Sequence, residues 1–179
     1  MNLFFRMLVV CIRAALAKER HGILDPVRLR FRPFIGDRAK QGGLENSRYN
    51  SFCDLGTLNY FIRSGTLSIL RKRGWMPIIV STTRIDFRPP RLVNKFEIET
   101  RIASWIGQHV NIVHTFHQDN QAFAEVSVVA RVSSTDKSKV TGDMIVTALG
   151  DSIVSPQPTE LFQHQVETVE HQKSKFQAK

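Results

Sequence analysis

The first twenty residues, MNLFFRMLVVCIRAALAKER, set Arg6, Arg13 and Arg20 among apolar neighbours. A seven-residue spacing brings side chains back close to one line on a helix, so the segment reads as an amphipathic helix with a basic stripe. Its unbroken apolar run, Met7 to Ile12, is too short for a bilayer span or a signal core. Such a helix either packs on the protein body or a second copy, or lies on a membrane surface.

Past Gly22 and Asp25-Pro26, Val27, Leu29 and Phe31 alternate with Arg28, Arg30 and Arg32, the two-residue period of a half-buried strand, which Pro33 closes. A polar loop then runs to Gly42-Gly43. From Glu45 to Arg63 the pattern becomes helical, with Tyr49, Phe52, Cys53, Gly56 and Tyr60 available to a core and Ser64-Gly65 as a stop. The segment TLSILRKRG predicts a second, short helix.

From Met76 to Ser134 the period returns to two. Phe96, Ile98, Thr100, Ile102 and Ser104 oppose Lys95, Glu97, Glu99 and Arg101, and Val110, Ile112, His114 and Phe116 share one face. Pro89-Pro90 and Asp119-Asn120 mark turns. In the last strand Ala122, Ala124, Val126, Val128, Ala130 and Val132 line up, and small residues there let a helix lie close. Asp143 to Leu149 predicts a short helix, and the tail from 151 is expected to be poorly structured. The division is thus an amphipathic helix over 1–20, one domain over 21–150 and a tail over 151–179, in an α+β class with an antiparallel sheet.

Composition narrows the function. At 179 residues with 42% hydrophobic and 23% charged residues, the chain suits one globular core. A net charge of +9 favours polyanions such as the phosphates of coenzyme A or anionic lipid. The basic residues are scattered without a recognition helix, which argues against nucleic acid. Cys11 and Cys53 alone give no disulfide framework, pointing to a reducing, cytoplasmic setting, peripheral to the membrane if the first helix lies there. His109, His114 and His117 fall on opposite strand faces, so no metal site is expected. No P-loop, dinucleotide fingerprint or G-x-S-x-G elbow occurs.

FRPFIGDRAKQGGLENSRYNSFCDLGTLNYFIRSG followed by GWMPIIVSTTRIDFRPPRLVNKFEIETRIASW resembles the thioesterase-like branch of the hot-dog superfamily, which includes the 4-hydroxybenzoyl-CoA thioesterase group. The likeness runs from about Leu3 to Leu149, and its most specific parts are the N-S-R-Y opening of the long helix and the D-L-G within it. It implies a hot-dog fold, a long central helix wrapped by a curved antiparallel β-sheet, and hydrolysis of acyl-CoA or acyl carrier protein thioesters. No cofactor is implied beyond the coenzyme A of the substrate. The family's loop carries two Asp, then Gly-His-Met/Val-Asn-Asn. Here Asp37 stands at the first Asp, Ala39 at the second, Gly43 at the His, Glu45 at the first Asn and Asn46 at the second.

Hydrolysis needs a carboxylate to activate water and donors for the oxyanion. The resemblance nominates Asp54, Glu45 and Asp37 as catalytic candidates, although Glu45 also suits the helix dipole, Asp37 a local turn and Asp54 a bonded helix polar group. Gly42, Gly43, Leu44, Asn46 and Tyr49 are the substrate-binding candidates. Arg71, Lys72 and Arg73, or Lys137 and Lys139, are expected to hold phosphates. Phe52, Phe61, Trp75 and Phe87 are the candidates for plugging an acyl tunnel. The resemblance further implies a homodimer or dimer of dimers joined along sheet edges. The loss of Asp and His from the loop leaves a second reading, a non-catalytic protein that binds acyl-CoA, acyl carrier protein or lipid.

Overall fold

The computed structural model describes residues 3–17, 19–88, 94–136 and 138–177. Pro89, Pro90 and Lys137 lie outside the described residues. Helix α1 (Leu3–Leu16) is followed by β1 (Val27–Phe31), the long α2 (Asn46–Arg63) and the short α3 (Thr66–Arg73). Strands β2 (Trp75–Asp86), β3 (Phe96–Ile106), β4 (His109–Gln118) and β5 (Gln121–Ser134) come next, and α4 (Gly142–Leu149) and α5 (Glu160–Gln177) end the chain.

The five strands form one antiparallel sheet in the order β1-β3-β4-β5-β2, with β1 and β2 as its two edges. The register slips between Ile79 and Ser81, between Ile102 and Ser104, and between Phe116 and His117. Slips of this kind bend strands. The sheet lies against α2, the hot-dog arrangement.

The alternation read along the strands holds as far as the register slips, beyond which Trp105 and Phe123 join the core and Ala122, read as inward, is only half-buried. Phe96, Ile98, Ile102, Ile112, Phe116, Val126 and Val128 are buried in one core with Tyr49, Phe52 and Tyr60 of α2. Phe52 meets Phe96 edge-on at 4.9 Å, and Phe116 lies 5.0 Å from Tyr49. Rings paired in this way add stability beyond the area they bury. Asp119 and Asn120 both adopt positive φ, as a tight hairpin requires.

Gly56 marks the closest approach of helix to sheet. A Cβ there would sit 2.6 Å from Thr100 Oγ1 and 3.3 Å from His114 Nδ1, so only glycine fits. His114, fully enclosed, bonds Thr100 at 3.0 Å and Thr57 at 3.3 Å. Burial holds its imidazole pKa down at about 3, so the ring stays neutral.

Two expectations about the termini are corrected. The residues beyond 151 do not form a loose tail throughout, because α5 packs on β5 and β2 over the back of the sheet. Phe162 is buried, and Gln165 donates to Thr83 at 2.9 Å and accepts from Ser127 at 3.1 Å. These two residues, three apart on a helix, supply the docking face that a glutamine-rich sequence concealed. They also explain why Ser127 and Val129, on the outward side of β5, are buried.

At the other terminus α1 stops at Leu16, so Arg20 lies beyond the helix and the stripe of three arginines is reduced to Arg6 and Arg13. Val10, Ala14 and Arg6, four residues apart, are buried as α1 packs on α2. Cys11 is half-buried and Cys53 buried, both as free thiols.

Candidate functional site

The site is built at the N-terminus of α2. Arg38 bridges Leu44, Ala39 N–H donates to Gly43 O, and Gly42 N–H donates back to Ala39 O, so residues 38–44 close as a small hairpin. Gly42 takes φ 90° at its tip, which explains the glycine. Leu44 turns into the core, and Glu45 N–H donates to Asp37 O at 2.9 Å.

Asp37 is buried and fully engaged. Its carboxylate pairs with Arg6 of α1, accepts from Phe34 N–H at 2.8 Å and lies 3.6 Å from Arg48 Nε. The Arg6 guanidinium also covers the Phe34 and Phe52 rings, at 5.0 and 5.2 Å. A buried charge persists only when paired and hydrogen-bonded, and this set meets both conditions. Asp37 therefore anchors the loop to α1.

Glu45 caps α2 in extended conformation without a side-chain capping bond and is exposed. The first N–H groups of the helix, those of Asn46 and Ser47, have no acceptor within the helix. Asn46 Oδ1 accepts from Arg84 Nη2 at 3.1 Å. Arg84, on β2 opposite inward-facing Val126, lies over the Tyr49 ring at 4.3 Å and 3.1 Å from Asp86. Burial, with Asp86 nearby, raises the Tyr49 hydroxyl pKa, and Arg84 partly offsets this. Helix N–H groups beside a planar guanidinium form a setting for an oxyanion or a phosphate.

Asp54 stands apart from that cluster. It lies two residues before Gly56, about 200° around the helix from the face pressed on the sheet. It makes no hydrogen bond or ion pair among the described residues. Its surface is exposed, yet the surrounding chain desolvates the carboxyl enough to raise its pKa above the ordinary value. The exposure limits that rise.

The structure thus brings Glu45, Asn46, Tyr49, Gly42 and Gly43 to one end of α2, with Leu44 beneath them. It does not bring Arg71, Lys72 and Arg73 there. They form the last turn of α3, past the opposite end of a helix about 27 Å long. Arg73 instead covers Trp75 at 5.4 Å. The arginine that sequence reading missed is Arg84. Its signal was a charge on the inward face of a β-rich strand, with Asp86 two residues on.

His109 and His114 lie on opposite sides of the sheet. His109, 3.4 Å from Glu170 of α5, has its pKa lowered by burial, which Glu170 partly offsets. Among the described residues no three His, Cys, Asp or Glu side chains gather in metal-binding range. Phe52 and Phe61 are buried in the core, Trp75 is half-buried and Phe87 is exposed. An apolar cavity of about 20 Å³ lies between Phe61, Leu70, Ile112 and Ile145.

Residues 35–161 match the thioesterase-like superfamily model, and the chain belongs to that family. Solved structures of the same fold include a 4-hydroxybenzoyl CoA thioesterase in complex with 4-hydroxybenzoyl CoA, 20% identical with TM-score 0.56 over 67% of this chain and 96% of the other. A gentisyl-coenzyme A thioesterase is 17% identical with TM-score 0.57, over 68% and 99%. A 1,4-dihydroxy-2-naphthoyl-CoA thioesterase from Synechocystis is 12% identical with TM-score 0.56, over 71% and 97%. At these identities the likeness establishes the fold. Comparison with curated protein sequences gives no match.

Proposed function

We propose that this protein hydrolyses acyl thioesters of coenzyme A or acyl carrier protein, as a dimer joined along β2. The observation that carries the reading is Asp54, a partnerless carboxylate with a raised pKa on the open face of the central helix. A general base works best when its pKa approaches the working pH. Asp54 takes a proton from water as the water oxygen attacks the thioester carbon. The N–H groups of Asn46 and Ser47 hold the oxyanion, the C–S bond then breaks, and the sulfur leaves with the proton returned by Asp54. Arg84 holds substrate charge at the entrance.

Asp54 lies eight residues beyond Asn46, about 12 Å along the same helix, too far to share one carbonyl with it. Each site therefore takes its donors from one protomer and its carboxylate from the other. The free edge of β2, with Met76, Ile78, Ile79 and Ile85 exposed, supplies the surface for that pairing. Light scattering at micromolar concentration is expected to give twice the chain mass or four times it, and a monomeric mass counts against the reading.

Thiol release from a panel of short to long acyl-CoA esters tests the chemistry. Asp54→Asn is expected to lose about 100-fold or more, the usual contribution of a general base, with Glu45→Gln close to wild type. Loss in Glu45→Gln alone moves the role to Glu45. The second reading, an acyl-CoA binding protein without turnover, is favoured by Ala39 at the family's second Asp and by the engagement of Asp37 with Arg6. It prevails if wild type binds a non-hydrolysable analogue and releases no thiol.

A further inference from the structure

With Arg6, Val10 and Ala14 turned inward, α1 presents Phe5, Leu8, Ile12 and Leu16 outward, 56%, 46%, 50% and 76% exposed. These residues, three and four apart, form one continuous apolar stripe. Apolar side chains in such a row usually mark a surface that something covers. Beside them a groove of about 500 Å³ separates α1 from β1, with Val9, Val10, Leu29 and Phe31 along it and Arg13 and Arg32 on its walls.

The cations of this groove are unequal. Arg30 is tied to Glu97. Arg13 and Arg32 are exposed and have no ion-pair partner among the described residues. Helix α1 carries no acid at all. A second copy docked through this face would therefore meet the same stripe with the same free arginines and no carboxylate from either helix. An anionic surface with an apolar interior complements both halves of the pattern.

We infer that α1 docks the protein on a bilayer containing anionic phospholipid. Phe5, Leu8, Ile12 and Leu16 enter the boundary between headgroups and acyl chains, and Arg13 and Arg32 take lipid phosphates at the mouth of the groove. The helix lies in the plane of the surface, since no described helix is long and apolar enough to cross a membrane. Docking is independent of thioester hydrolysis, because it uses none of Asn46, Asp54 or Arg84.

Flotation of the full chain with phosphatidylcholine vesicles, with and without phosphatidylglycerol, tests this. Wild type is expected to float with the mixed vesicles and to be released by salt. Leu8→Glu with Ile12→Glu should lower the partition coefficient onto the vesicles at least about tenfold, the equivalent of about 1.4 kcal/mol. Both residues are exposed, so the thermal midpoint should stay unchanged, which separates lost docking from misfolding. Arg13→Glu with Arg32→Glu should abolish the preference for phosphatidylglycerol while leaving the apolar stripe intact. The inference is overturned if wild type fails to float, if it floats equally with both vesicles, or if the Leu8/Ile12 variant halves the mass of the protein in vesicle-free solution.

Discussion

The two edges of the sheet solve the same problem in opposite ways. An edge strand exposes unpaired N–H and C=O groups, and β1 limits that exposure by being five residues long and charged. Its Arg28 bonds Glu99 at 2.7 Å and its Arg30 bonds Glu97 at 2.8 Å, both on neighbouring β3. Strand β2 does neither. It runs twelve residues, with Met76 65% and Ile79 58% exposed, and it carries Arg84 to the N-terminus of α2. On the proposed reading, both the partner surface and the oxyanion-binding end of α2 fall on this unprotected side.

The largest predicted effect comes from giving β2 the character of β1. Ile79→Lys with Ile85→Lys should weaken self-association by about 100-fold or more, since each side chain that stays in water loses about 1.5–3 kcal/mol of burial. Sedimentation velocity should report a monomer, and thiol release should fall in parallel. A dimer that survives both lysines places the partner surface elsewhere.

Next comes acid, which should act on the middle of the sheet and spare the edges. The His114 pKa is lowered to about 3 from 6.5, so between those values the unfolded chain binds a proton that the folded chain refuses. Stability is then full above pH 6.5 and declines as pH falls below it, by about 1.4 kcal/mol per pH unit. Denaturant melts from pH 6.5 to 4.5 should show the slope in wild type, and His114→Asn should flatten it.

A smaller effect distinguishes the two ends of α2. Arg84→Gln should lower kcat/KM for acyl-CoA about tenfold, or about 1.4 kcal/mol. Replacing Arg71, Lys72 and Arg73 together by alanine should change it less than about twofold, the difference expected of exposed charges that no substrate meets. The reverse ranking would return phosphate binding to α3. Smallest of all, Arg28→Ala or Arg30→Ala should cost only about 0.2–1 kcal/mol each in a urea melt, because exposed cross-strand pairs are weak.

Much of the fold was legible in the order of residues. Periods of two and of 3.6 report burial on one face, so Phe96 through Ser104 and the helix from Asn46 to Arg63 announced themselves. The Asp119-Asn120 turn did so through the backbone its residues tolerate. Helix α5 was hidden, because two buried residues, Phe162 and Gln165, suffice to dock it and leave no apolar stripe.

The candidate site divided in the same way. Sequence nominated Glu45, Asn46 and Asp54 through local pattern and resemblance. It also nominated Asp37, which tertiary packing tied to Arg6, and the basic run of α3, which the length of α2 removed from the loop. Arg84 needed the sheet, since only the pairing of β2 with β5 brings it over Tyr49. Local periodicity fixes which face of an element is buried, and so the sequence by itself determined the class, the central helix and the strands, but not α5. Which charges meet depends on contacts between residues 31 and 38 positions apart in the chain, and those the tertiary structure alone decided.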